Sequence, residues 1–135
     1  MKKNAQWIMI TIVLVFISAT GFSQAKTNGV KNSIVFGKII HDYGTIVQGT
    51  DGKCEFKFTN KGKTPLVLSN VTSSCGCTVP IWPKEPIQPG KSGTIKVKYY
   101  TKRIGTFNKS VTVISNATNS TVILRIKGNV TPTNK

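Results

Sequence analysis

The side chains with the widest chemical reach in this chain are three sulfurs, Cys54 and the pair in the triplet Cys75-Gly76-Cys77. Thiols one residue apart can close a disulfide on each other, exchange it with an outside thiol, or hold a soft metal such as copper(I) or zinc as thiolates. Alternatively, Cys54 can bridge one of the pair as a structural staple. Three thiols cannot all pair within one chain, so each arrangement leaves one over. A Cys75–Cys77 bridge closes a ring so small that it strays from relaxed geometry and is easily reduced. A bridge from Cys54 closes a loop of ~20 residues and would stabilise by about 3 kcal/mol in the chain-entropy model. If the strand begun at Cys54 is followed by one running straight back, all three sulfurs gather at one end, which favours this staple. The metal reading needs a further ligand, and His41 is the only histidine. It stands beside Asp42, where a solvated polar role is the plainer reading. The redox reading lacks the usual support, because Cys-Gly-Cys is not Cys-x-x-Cys and no helix N-terminus is evident to lower a thiol's proton affinity.

Which of these chemistries is open depends on compartment, and the N-terminus speaks to that. Met1-Lys2-Lys3 is a basic start, Trp7 to Ile17 is almost unbroken apolar sequence, and Ser18 to Ala25 is small and polar. This is the layout of a secretory signal peptide, with a cut after Gly21, Ser23 or Ala25. The apolar run is well short of the ~20 residues that span a bilayer. The expectation is a signal peptide over 1–25, export to the periplasm or beyond, and no transmembrane segment after cleavage. Disulfides are then the default state of the cysteines. About 110 residues remain, enough for one hydrophobic core. Nineteen Lys and Arg stand against four Asp and Glu, a formal charge of +15 that falls to +13 with the loss of Lys2 and Lys3. Such an excess suits an anionic partner, or simply coats sheet faces with lysine.

The positioning elements are strands. Residues 26–32 are polar and contain Asn28-Gly29, a flexible lead-in. From Ser33 onward, β-branched and aromatic runs alternate with Gly, Pro and Asn clusters, and no apolar pattern holds helical spacing for more than two turns. The runs predict strands over 34–41, 45–47, 53–60, 65–71, 94–100, 107–115 and 121–130, with 131–135 a tail. About seven short strands in one domain over 33–130 indicate an all-β, immunoglobulin-like antiparallel sandwich. Period-two alternation turns Cys54, Phe56, Phe58, Ile95, Val97 and Tyr99 inward. It turns Lys53, Lys57, Lys96 and Lys98 outward onto one face, provided the strands at 53–60 and 94–100 are neighbours. Lys109, Arg125 and Lys127 would decorate the other sheet.

Five segments in order carry a resemblance: Asp42-Tyr43-Gly44-Thr45-Ile46; Phe56-Lys57-Phe58-Thr59-Asn60 with Pro65-Leu66-Val67-Leu68; Ser74-Cys75-Gly76-Cys77-Thr78; Pro89-Gly90-Lys91-Ser92-Gly93; and Gly105-Thr106-Phe107 with Ser115-Asn116. From about Phe36 to Val130 the chain resembles the bacterial domain-of-unknown-function family 1573, DUF1573. That family is similar to immunoglobulin-like domains of the major-sperm-protein and cilia-associated type. The resemblance implies a sandwich, an envelope or extracellular setting, and a binding or scaffolding role without a known activity. Cys54 lies outside the family pattern.

Other motifs carry less. Gly90-Lys91-Ser92 looks like the end of a phosphate loop, but Glu85 occupies the first required glycine, two prolines interrupt it, and a strand follows. One histidine and four scattered acids make no nucleophile–base–acid set, so no enzyme and no cofactor are expected. Trp82, on the connection from Pro80 to Gly93, can anchor a ligand or tuck against the sandwich edge. The outward lysines have no aromatic residues interleaved, which argues against base stacking and specific nucleic-acid binding. The reading is an exported, non-enzymatic binding or scaffolding module acting through a sheet edge or the Pro80 to Gly93 connection. Its partner would be an envelope protein or an anionic envelope polymer. A periplasmic thiol-redox or copper- or zinc-handling protein using Cys75 and Cys77 is the alternative.

Overall fold

The computed structural model describes residues 32–134. The expected signal peptide and all but Asn32 of the expected lead-in lie outside them. Eight strands follow in chain order: β1 (Ile34–Phe36), β2 (Ile40–Val47), β3 (Lys53–Asn60), β4 (Leu68–Ser73), β5 (Thr78–Ile81), β6 (Ser92–Tyr99), β7 (Gly105–Ser115) and β8 (Thr121–Thr131). They form two four-stranded sheets, β1-β3-β6-β5 and β2-β8-β7-β4, packed as a sandwich.

The alternation in sequence builds the core. Phe56, Phe58, Ile95 and Val97 come from one sheet and Val111, Val113, Leu124 and Ile126 from the other, each at most 1% exposed. Burying each such side chain stabilises by roughly 1.5–3 kcal/mol. Tyr99 stacks on Phe107 across the interior with ring centroids 3.8 Å apart. Asn60 is fully buried. Its amide donates to the carbonyls of Thr64 and Ile87 at 2.8 and 2.9 Å, and its side-chain oxygen accepts from Gly62 N–H at 2.9 Å. That amide ties the β3–β4 and β5–β6 connections to the core.

Three expectations are corrected. The run expected as one strand over 34–41 divides after Phe36, where the chain leaves one sheet for the other. Its second part begins β2, which runs on through Gly44 to Val47 with a register shift between Asp42 and Thr45. β2 runs parallel to β8, so the sandwich is not wholly antiparallel. Residues 78–81, expected as loop, form the edge strand β5. Lys109 also departs from its expected place. It shares the inward parity of Phe107 and Val111, pairs with the buried Ile126, and is half-buried.

Candidate functional site

Three connections meet at one end of the sandwich: the β2–β3 loop through Gly49 to Gly52, the β4–β5 turn carrying the cysteines, and the start of the β6–β7 loop. Gly52 lets the first of these close on β6. Its carbonyl accepts from Tyr99 N–H at 2.9 Å, and a Cβ there would collide with the Tyr99 carbonyl. The Tyr43 hydroxyl also donates to the Gly52 carbonyl, at 2.6 Å. Thr101, buried, donates its hydroxyl to the Thr50 carbonyl at 2.5 Å. Between these pieces lies a groove of about 560 Å³ whose walls include Gly76, Cys77, Val79, Lys98, Tyr100 and Lys102.

The structure joins Cys75 to Cys77, with Cα atoms 5.3 Å apart, and leaves Cys54 buried and free. The cross-strand staple favoured by sequence does not form, for a topological reason. The strand after β3 crosses to the opposite sheet, and β6 lies between β3 and β5. Cys54 and Cys77 are therefore two strand spacings apart, about 10 Å, as well as offset along the strands, beyond the ~7 Å Cα limit for a bridge. Burial pushes the Cys54 thiol up from its ordinary value, more than the Tyr43 hydroxyl beside it pulls it down. Burial likewise raises Tyr43.

The turn is braced without its sulfurs. The Ser73 hydroxyl lies 2.7 Å from the carbonyl oxygens of both Cys75 and Thr78, which share its one proton. Ser74 N–H donates to Ser110 at 2.9 Å, and Tyr100 N–H to Cys77 at 2.8 Å. The Thr78 hydroxyl, in a residue 2% exposed, lies 3.8 Å from Cys75 Sγ and 3.9 Å from Cys77 Sγ.

His41 is not brought to the sulfurs. It sits on β2, and β8 and β7 separate β2 from β4, which leads into the cysteine turn. Its ring meets Tyr43 edge-on at 4.5 Å, and Lys38 Nζ lies 3.0 Å from Nδ1. Burial and then Lys38 lower its proton affinity, against Asp42, which raises it. Among the described residues no three His, Cys, Asp or Glu side chains gather to hold a metal. Trp82 packs half-buried against the core, with the Lys84 ammonium 3.0 Å over its ring.

The outer face of the first sheet gathers the four expected lysines. Lys53 stands opposite Lys98, Glu55 opposite Lys96 and Lys57 opposite Thr94. Across the next interface Val79 pairs with Lys98 and Ile81 with Lys96. Val79 and Ile81 are 54% and 63% exposed. A second groove of about 290 Å³ runs along this face and shares Val79 and Lys98 with the first. Sequence supplied the lysines, but without β5 it did not show the apolar rim.

Several outward backbone groups at the edges of this sheet are already engaged. Tyr100 donates to Cys77, so the alternation of an antiparallel ladder turns the backbone groups of Thr78 and Pro80 outward. Thr78 N–H donates to Cys75, Thr78 C=O accepts from Ser73, and Pro80 has no N–H to offer. At the other edge the Asn119 side chain bonds both the N–H and the C=O of Ile34, at 3.2 and 2.8 Å. The sheet edges therefore offer a partner few free backbone groups, Phe36 N–H and C=O on one side and Pro80 C=O on the other, whereas the lysine face is open.

Residues 34–130 match the family model described as "Protein of unknown function (DUF1573)". No curated protein matches the chain in sequence. Among solved structures, a protein of unknown function from Porphyromonas gingivalis is similar at 18% identity and a TM-score of 0.66, over 78% of this chain and 50% of that one. The human CEP192 ASH/PapD-like domain 7 is similar at 10% identity and a TM-score of 0.62, over 87% and 97%. Vibrio cholerae VesB protease is similar at 15% identity and a TM-score of 0.60, over 73% of this chain and 32% of that one. The chain thus spans half of the first and about a third of the last. At these identities the likeness is one of fold.

Proposed function

The chain belongs to the DUF1573 family of proteins of unknown function, and from that premise we propose that it is an exported, non-enzymatic binding module whose first sheet holds an anionic polymer of the bacterial cell envelope on its outer face. The observation that carries this reading is the placement of Lys53 directly opposite Lys98. Like charges facing across a strand pair cost stability, and an anion lying between them offsets that cost. Lys96 and Lys57 extend the positive field, while Val79 and Ile81 give a carbon-rich chain an apolar rail beside it. Asp51 pairs with Lys53 at 3.3 Å, but both side chains are well exposed, so this pair neutralises little.

Lysines are point charges without the fork that fixes a guanidinium to one acid, so the recognition is of charge density over a groove. A titration with polygalacturonate, a carboxylated polysaccharide, tests the reading. Binding should be clear at low salt, fade steeply toward physiological salt, and weaken strongly in Lys96→Ala with Lys98→Ala. Full-strength binding by that variant would count against the face. Export is tested separately, by intact mass of protein from its native host, which should lack about 21 to 25 N-terminal residues.

A further inference from the structure

Independently of any anionic ligand, we propose that the Cys75–Cys77 disulfide is a thiol-exchange site, passing its bond to a cysteine pair in a peptide segment that enters the adjoining groove. Three observations converge on it. Cys77 is half-buried in the wall of the 560 Å³ groove. Gly76, between the two half-buried cysteines, is exposed and has nothing within 4 Å of where a Cβ would sit, so the turn is open at its middle residue. Lys98 and Lys102 line the same groove and favour an arriving thiolate over a thiol.

Thr78 adds a fourth. Its side chain is buried, and its hydroxyl has the two sulfurs as side-chain partners, at 3.8 and 3.9 Å. A disulfide sulfur is a weak acceptor, whereas a thiolate accepts a charge-assisted bond roughly twice as strong as a neutral one. The hydroxyl therefore gains its full interaction only as the bond opens, which makes Thr78 a positioning residue for the leaving sulfur. The turn itself stays in place, because Ser73, Ser74 and Tyr100 hold it through backbone groups.

The exchange takes two displacements. A partner thiolate attacks Cys77 Sγ from the groove, the Cys75–Cys77 bond breaks, and its electron pair leaves on Cys75 Sγ toward the Thr78 hydroxyl. A mixed disulfide between Cys77 and the partner forms. The partner's second thiolate then attacks the partner sulfur of that bond and releases Cys77 as a thiolate. Each freed thiolate takes a proton from water as needed. The partner dithiol is oxidised by two electrons, the chain is reduced by two, and one bond is transferred per chain. Cys54 does not intercept, since β6 separates it from the turn and its thiol is buried.

The test uses small thiols on the folded protein, with acid quenching, alkylation and peptide mass mapping. Glutathione, which carries net negative charge, should reduce the bond within minutes at about 10 mM, and in Cys75→Ser, which has no bond to reduce, oxidised glutathione should exchange with the Cys77 thiolate to leave a mixed disulfide there and release one reduced glutathione. Cysteamine, a cationic thiol, should react more slowly than its acidity alone dictates, and salt should narrow the difference. Thr78→Val should slow the glutathione reaction about three- to tenfold with the fold unchanged, the loss of one hydrogen bond at the leaving sulfur. A bond that resists glutathione in the folded protein but opens on unfolding would overturn the proposal. So would equal rates for Thr78→Val and the parent.

Discussion

Lys53 and Lys98 face each other across the β3–β6 pair at a position where the strands exchange no hydrogen bonds. Such positions bring opposed side chains closest, with Cα atoms about 4.5 Å apart, so the charge repulsion is near its largest for a sheet. A face kept only for stability would place opposite charges there, as the same pair of strands does two residues further along with Glu55 and Lys96.

Lys98→Glu should therefore separate stability from binding. It replaces a like-charge pair by an opposite one and should raise the unfolding free energy by about 0.5–1 kcal/mol at low salt. The same change should largely remove polygalacturonate binding. Chemical denaturation and a binding titration on one sample read both effects.

The sulfur connectivity is open to a thiol count. Protein unfolded without reductant should show one free thiol, mapping to Cys54, with Cys75 and Cys77 joined in one peptide. Reduction should shift the thermal midpoint little, because a loop this short constrains the unfolded chain weakly. A midpoint drop equivalent to about 3 kcal/mol would instead indicate the longer loop closed from Cys54.

The core faces were legible in the sequence because period-two alternation is a direct record of which side each residue faces. Cys54, Phe56 and Phe58 against Lys53, Glu55 and Lys57 needed no tertiary knowledge. The sulfur pairing was not legible, because it depends on strand order, and β6 enters between β3 and β5 only after an excursion through the other sheet. β5 was hidden by Pro80, which normally argues against a strand but is tolerated at an edge where no N–H is needed. The place of Thr78 under the two sulfurs, on which the exchange chemistry turns, follows from that strand and was hidden with it.

Asn60 should be worth more than its polarity suggests. All three of its side-chain bonds are to backbone groups of two connections that pair with each other through the Leu66–Ile87 bridge. Asn60→Leu removes them and leaves the buried Gly62 N–H unpaired, at a cost of about 1–3 kcal/mol by denaturant unfolding. A loss under about 0.5 kcal/mol would show that these connections hold themselves.

His41 gives the fold a mild acid sensitivity. Burial and Lys38 lower its proton affinity in the folded state from the ordinary value of 6.5. The unfolded chain thus takes the proton first as pH falls. The His41 contribution is full above about pH 6.5 and is lost as pH drops through the lower folded value. Thermal midpoints at about pH 7.5 and pH 5.5 should differ less in His41→Gln than in the parent.

The outer face of the β1-β3-β6-β5 sheet is the proposed binding surface. Backbone amide shifts of isotope-labelled protein titrated with polygalacturonate at low salt test it most directly. Shifts concentrated on β3, β6 and β5, centred on Lys53, Lys96, Lys98 and Val79, with the β2-β8-β7-β4 sheet unmoved, are the expected result. Shifts spread evenly over lysines of both sheets would contradict it, and would mean that the charge of this chain attracts anions without a site to hold them.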